Sequence, residues 1–120
     1  MDKRIVISGS RDFNNYELLK SYTDECIATL RKKYTLIFLS GRCRGADFLG
    51  ERYAKEQGFK IEYFPAEWEK YGRAAGPKRN EQMATLADYI ICFWDGKSKG
   101  TASMISLAKA KGIPLKIKRI

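Results

Sequence analysis

Short apolar runs alternate with helix-patterned segments along the whole of this chain, and that alternation constrains the fold more tightly than any other feature. Arg4 to Ser8 reads as a first strand, ended by Gly9. Asn14 or Asn15 caps a helix predicted to reach about Lys33, because Leu18, Leu19, Tyr22, Cys26, Ile27 and Leu30 recur at helical spacing. Thr35 to Ser40 is a continuous run of strand-forming residues, as expected of a strand covered on both faces. Gly45 to Gln57 gives a second helix, with Ala46, Leu49, Gly50, Tyr53 and Ala54 inward and Gly58 as its stop. Phe59 to Phe64 is a third strand, followed by an irregular stretch from Pro65 to Gly76. Pro77 suits the first turn of a third helix that ends near Ala87, with Met83, Leu86 and Ala87 inward. Asp88 to Trp94 is a fourth strand, and Asp95 to Gly100 a loop. A fourth helix covers Thr101 to Lys111, with Met104, Ile105, Leu107 and Ala108 as its apolar side. Gly112 stops it, and Pro114 to Ile117 begins a fifth strand.

Five strands separated by four helices predict an α/β fold: a three-layer, doubly wound parallel sheet with helices on both faces. The expected strand order is 3-2-1-4-5, in one domain spanning residues 1–120. In that order the winding reverses between strands 1 and 4, and ligands bind outside the carboxyl ends of the strands at such a point.

Composition narrows the function classes. The 23 Lys and Arg against 14 Asp and Glu leave a charge of +9, which favours a phosphorylated small molecule or a nucleic acid as partner. The hydrophobic fraction of 44% supplies a core and excludes disorder driven by low hydrophobicity. No apolar run reaches the roughly 18–20 residues of a membrane span, and the segment MDKRIVISGS lacks the pattern of a secretory signal. No membrane partner is therefore expected, and the expected compartment is the cytoplasm. Cys26, Cys43 and Cys92 are odd in number and far apart, which fits a reducing environment. Without histidine or a Cys-x-x-Cys pair, His-dependent triads and the common zinc sites are excluded, so neither metal nor cofactor is expected.

Three strand-to-helix turns carry the candidate binding residues. They are Gly9, Ser10 and Arg11 after strand 1; Gly41, Arg42, Arg44 and Gly45 after strand 2; and Gly96, Ser98, Gly100 and Thr101 after strand 4. Glycine lets backbone N–H groups approach an anion, and each following helix N-terminus adds free N–H donors and positive partial charge. In the stretch from Pro65 to Asn80, Trp68 and Tyr71 offer flat rings to a base, or cover the sheet edge, or meet a second copy in a homodimer. Arg79 and Asn80 are expected in the first turn of the third helix, the arginine for a phosphate and the amide for a ribose hydroxyl. Gly96-Lys97-Ser98 looks like the end of a P-loop, but the glycine that motif needs upstream is Ile91, inside a strand. No G-x-G-x-x-G follows strand 1, so ordinary dehydrogenase-type dinucleotide binding is unsupported.

Together these segments resemble the small YspA-type members of the SLOG superfamily. The resemblance rests on Gly9-Ser10-Arg11-Asp12, Arg44-Gly45-Ala46-Asp47, the W-x-x-Y-G-x-x-A-G-P-x-R-N run from Trp68 to Asn80, and the G-x-S-x-G-T turn at 96–101. It implies a Rossmann-like domain that binds a nucleotide or a nucleotide-derived phosphorylated ligand such as an ADP-ribose-like molecule. The wider superfamily includes phosphoribohydrolases, sensors of NAD-derived signals and the DNA-binding domain of a recombination mediator. Two alternatives stand beside the first: a hydrolase acting on a nucleotide or its N-glycosidic bond, and a single-stranded nucleic-acid-binding protein, suggested by the charge of +9 and the rings of Trp68 and Tyr71. The hydrolases carry a G-G-x-G-T-x-x-E turn with a catalytic Glu. Here Asp95 replaces the first glycine, the turn is one residue longer, and Met104 stands where the Glu would be. Asp47 is then the candidate acid–base carboxylate, ahead of Asp95 and Glu81. Cys43, between two arginines near a helix start, is a candidate thiolate nucleophile.

Overall fold

A computed structural model describes all 120 residues. In chain order the elements are β1 (Asp2–Gly9), α1 (Tyr16–Ile27), α2 (Leu30–Lys33), β2 (Thr35–Ser40), α3 (Ala46–Gln57), β3 (Lys60–Tyr63), α4 (Trp68–Tyr71), α5 (Ala75–Leu86), β4 (Tyr89–Trp94), α6 (Lys99–Lys111) and β5 (Leu115–Arg119). A 3-10 turn at Gly72–Ala74 joins α4 to α5. The strands form one parallel sheet in the order β3-β2-β1-β4-β5, as the alternation predicts.

Successive side chains of a strand point to opposite faces, so the apolar runs of β1, β2 and β4 feed two cores at once. Ile5, Ile7, Leu36, Phe38, Ile91 and Phe93 meet Leu19 and Ile27 of α1 and Ala46, Tyr53 and Ala54 of α3. The intervening Val6, Ile37, Leu39, Ile90 and Cys92 meet Met83 and Ala84 of α5 and Met104, Ile105 and Ala108 of α6. Each such buried aliphatic side chain contributes about 1.5–3 kcal/mol relative to exposure. Gly58 and Gly112 end α3 and α6 in the left-handed conformation, where a Cβ would be strained.

Three local expectations are corrected. The helix predicted to reach Lys33 has its ladder interrupted after Ile27; Ala28 and Thr29 keep helical dihedrals, and α2 resumes with the Lys32 N–H on the Thr29 carbonyl. The stretch predicted to be irregular is largely helical, because α4 and the 3-10 turn fill it and α5 begins at Ala75, two residues before Pro77. Leu86, predicted to face inward, is exposed at the last residue of α5.

Candidate functional site

The turns after β1, β2 and β4 meet at the carboxyl edge of the sheet around a cleft of about 340 Å³. From the end of β1 and the turn after it come Ser8, Gly9, Arg11 and Asp12; from the β2–α3 turn and the start of α3, Cys43, Arg44 and Asp47; from α5, Arg79 and Asn80; and from the start of α6, Ser98, Lys99, Gly100 and Thr101. Parallel strands put all their carboxyl ends on one edge, which is why segments nearly 90 residues apart converge here. The Ser98 hydroxyl lies 3.0 Å from the Ser10 hydroxyl, joining the first and third turns directly.

Four cations face this space, Arg11, Arg44, Arg79 and Lys99, against the carboxyls of Asp12 and Asp47. The Arg44 side chain is 70% exposed, and its contact with Asp12 at 3.4 Å is a solvated surface pair worth little to stability. Arg79 is different. Its guanidinium is buried and donates to the Gly41 carbonyl, to Asn80 Oδ1 at 2.9 Å and to Cys43 Sγ at 3.5 Å. It locks the β2–α3 turn onto α5 and also walls the cleft. Asn80 completes the tie, donating from Nδ2 to the Gly100 carbonyl at 3.3 Å. Both residues lie beyond the first turn of α5, because that helix starts earlier than the sequence suggests.

Asp47 sits in the first turn of α3, where the helix N-terminus favours negative charge. Its Oδ2 accepts the Cys43 N–H at 3.3 Å. Burial nevertheless dominates and pushes its carboxyl up to about 6, against the pull of the Cys43 N–H, Arg79 and Arg11. At that value Asp47 carries a proton for part of the time near neutrality, which suits proton transfer. Asp95 shows the reverse. Its carboxylate accepts the N–H groups of Ser98 and Lys97, both at 2.8 Å, and they hold it down to about 2.

That second arrangement changes the reading of the third turn. The N–H groups of Lys97 and Ser98 serve Asp95, so they are engaged already. Gly96 lies under the Arg119 guanidinium, at φ 82°, outside the cleft. The donors on the cleft side are instead those at the start of α6, whose Ser98 cap makes no side-chain bond to the helix. Thr101 is buried there, and its residue lines the cleft.

The glycines divide by cause. A Cβ at Gly9 would lie 2.4 Å from the Phe93 carbonyl oxygen, and one at Gly45 would lie 2.3 Å from that of Ser10, so both serve close packing of the turns. Gly45, with φ 84°, also needs the left-handed side of dihedral space. A Cβ at Gly41 would meet the Arg79 guanidinium at 2.7 Å and Asp47 Oδ2 at 2.9 Å. Only glycine lets those two groups close over the turn.

Several predicted residues stand apart from the cleft. Arg42 points away and pairs with the buried Glu51 at 2.5 Å. Trp68 is half-exposed on α4, with its ring 3.5 Å from where a Gly76 Cβ would be. Tyr71 borders a separate shallow hollow with Lys78 and Gln82, and the Lys70 and Lys78 ammoniums approach its ring. In the other direction, Ser8, Asp12 and Lys99 line the cleft without having been singled out as ligand contacts. Lys99 had a legible signal, since it stands one residue after a Ser cap at a helix start. Met104, at the position of the hydrolases' Glu, is fully buried in the α5–α6 core.

The sequence profile of the family described as YspA, cpYpsA-related SLOG matches residues 3–71. The Gene 61 protein of Mycobacterium phage D29 is 33% identical over 120 aligned residues, covering 94% of each chain. Among solved structures, DNA processing protein A (DprA) from Streptococcus pneumoniae superposes with a TM-score of 0.73 at 17% identity, over 96% of this chain and 50% of that one. This chain thus spans about half the length of DprA. The Moco carrier protein from Chlamydomonas reinhardtii superposes with a TM-score of 0.58 at 17% identity, over 98% of this chain and 76% of that one. At those identities the likeness is one of fold, a Rossmann-like α/β sheet.

Proposed function

We propose that this chain, which belongs to the YspA, cpYpsA-related SLOG family, binds a nucleotide or nucleotide-derived phosphorylated ligand, of the ADP-ribose kind, in the cleft at the carboxyl ends of β1, β2 and β4. The observation that carries this reading is the convergence of Arg11, Arg44, Arg79 and Lys99 with the uncapped N-terminus of α6 on one space. Backbone N–H groups at a helix start bind phosphate oxygens, and arginine adds bidentate charge-assisted bonds. The cleft volume, about 340 Å³, falls within the usual range for small-molecule sites. The names of two fold neighbours, a DNA processing protein and a Moco carrier, agree with nucleic-acid or small-molecule handling on this fold. A thermal-shift series with ADP-ribose, NAD, AMP and GTP tests the reading, because a ligand that binds only the folded state raises its melting temperature. One clear stabiliser is expected; no shift with any of the four overturns the proposal. Native mass spectrometry of freshly purified protein identifies a retained nucleotide.

A second reading is favoured by one observation, the buried Asp47 carboxyl at the cleft wall, whose burial pushes its pKa up. A carboxyl that exchanges its proton near neutrality can act as general acid or base on an N-glycosidic bond. Base release from nucleoside monophosphates, lost in Asp47→Asn, is the result this reading requires.

A further inference from the structure

Outside the cleft, a second surface lies at the carboxyl ends of β2 and β3. Arg42 is the one non-glycine residue with positive φ, at 61°, a conformation unfavourable for an L-residue. Ser40 Oγ accepts its backbone N–H at 3.1 Å, and the buried Glu51 holds its guanidinium at 2.5 Å while also accepting a hydrogen bond from the Ser40 hydroxyl. Held so, the guanidinium lies 5.1 Å from the Phe48 ring centre and 5.3 Å from that of Tyr63. Both rings are exposed, 43% for Phe48 and 47% for Tyr63. An unfavourable backbone conformation and a buried carboxylate thus present an aromatic–guanidinium–aromatic cluster to solvent, away from either core.

This cluster adjoins the cleft through the chain itself. Arg42 precedes Cys43 and Arg44, and Phe48 follows Asp47. One Cα-to-Cα step, about 3.8 Å of chain, separates the two surfaces at each point. We propose that Phe48, Arg42 and Tyr63 form a stacking platform for the bases of a single-stranded nucleic acid whose phosphate enters the adjoining cleft. Unpaired bases expose faces that stack on rings and guanidinium planes without regard to sequence, whereas a duplex hides them. The exposed Arg44 at the shared turn and the net charge of +9 complement a polyanion. The platform rests on the anion-binding reading of the cleft for its phosphate anchor alone.

Fluorescence anisotropy with a labelled oligothymidylate of about 12 nucleotides, at low salt, measures the interaction. The expected result is binding that weakens with added salt and is at least about tenfold weaker for the corresponding duplex. Phe48→Ala with Tyr63→Ala should lower the oligonucleotide affinity by about tenfold or more. Its thermal shift with the four compounds of the series should stay as in the parent protein, since neither ring borders the cleft. Absence of oligonucleotide binding by the parent protein, or equal binding by the double variant, overturns the platform. Oligonucleotide binding that depends on the rings, without a thermal shift from any mononucleotide, keeps the platform and removes the small-ligand reading.

Discussion

Replacing Asp47 by asparagine should make the protein more stable at neutral and alkaline pH, and the size of the gain follows from where the carboxyl sits. Its side chain is almost wholly buried, and its pKa rises from 3.8 to about 6, chiefly by desolvation. At about 1.4 kcal/mol per pH unit, that rise means ionised Asp47 costs the folded state about 3 kcal/mol. Between pH 4 and 6 the folded chain holds this proton more tightly than the unfolded chain, so stability falls as pH rises through that window. The full cost is present above pH 6 and absent below about pH 4. Asparagine keeps the shape and can still accept the Cys43 N–H, but it never ionises. Asp47→Asn should therefore gain up to about 3 kcal/mol at pH 8, roughly 10 °C in melting temperature for a chain of this size, and nothing near pH 4. Urea denaturation of both proteins at pH 4, 6 and 8 gives the comparison. A phosphate brought into the cleft adds negative charge beside Asp47, so nucleotide affinity should fall as pH rises through 6 in the parent protein and lose that dependence in the variant. Equal stability of the two at pH 8, or a gain that persists unchanged at pH 4, would refute the argument.

Other substitutions separate structural from ligand-facing cations. Arg79→Ala should lower the ligand-free stability by about 2–4 kcal/mol, because it leaves the buried Gly41 carbonyl unpaired and opens the joint between α5 and the β2–α3 turn; an unchanged denaturation midpoint would show that the joint holds without it. Arg44→Ala should leave the ligand-free melting temperature within about 1 °C and weaken nucleotide binding by about tenfold, as read by titration calorimetry, since its side chain is exposed at the cleft lip. Met104→Glu should not create a hydrolase; it puts an unpaired carboxylate into the α5–α6 core and should cost more than about 3 kcal/mol, measured by denaturation.

The division between sequence and structure is visible residue by residue. The apolar runs of β1, β2 and β4, the helical stripes and the stops at Gly58 and Gly112 are local signals, so the strands, their parallel arrangement and the edge that carries the cleft could be read from the chain alone. Even the meeting of Ser10 with Ser98 followed, because parallel strands deliver their carboxyl ends to one rim. What the chain by itself did not determine is which way each side chain leaves its turn. Arg42 and Arg44 stand two residues apart in one turn, yet one joins Glu51 and two rings while the other lines the cleft. That choice depends on the positive φ of Arg42 and Gly45, and those dihedrals are set by Glu51, Ser40 and the Ser10 carbonyl packing against the turn. Likewise Arg79 became a buried brace because Gly41 left room for it, and Asp95 closed its own turn by taking the Lys97 and Ser98 N–H groups. Periodicity records which face of an element is apolar; turn dihedrals are fixed by contacts between distant segments, and those exist only once the sheet has assembled.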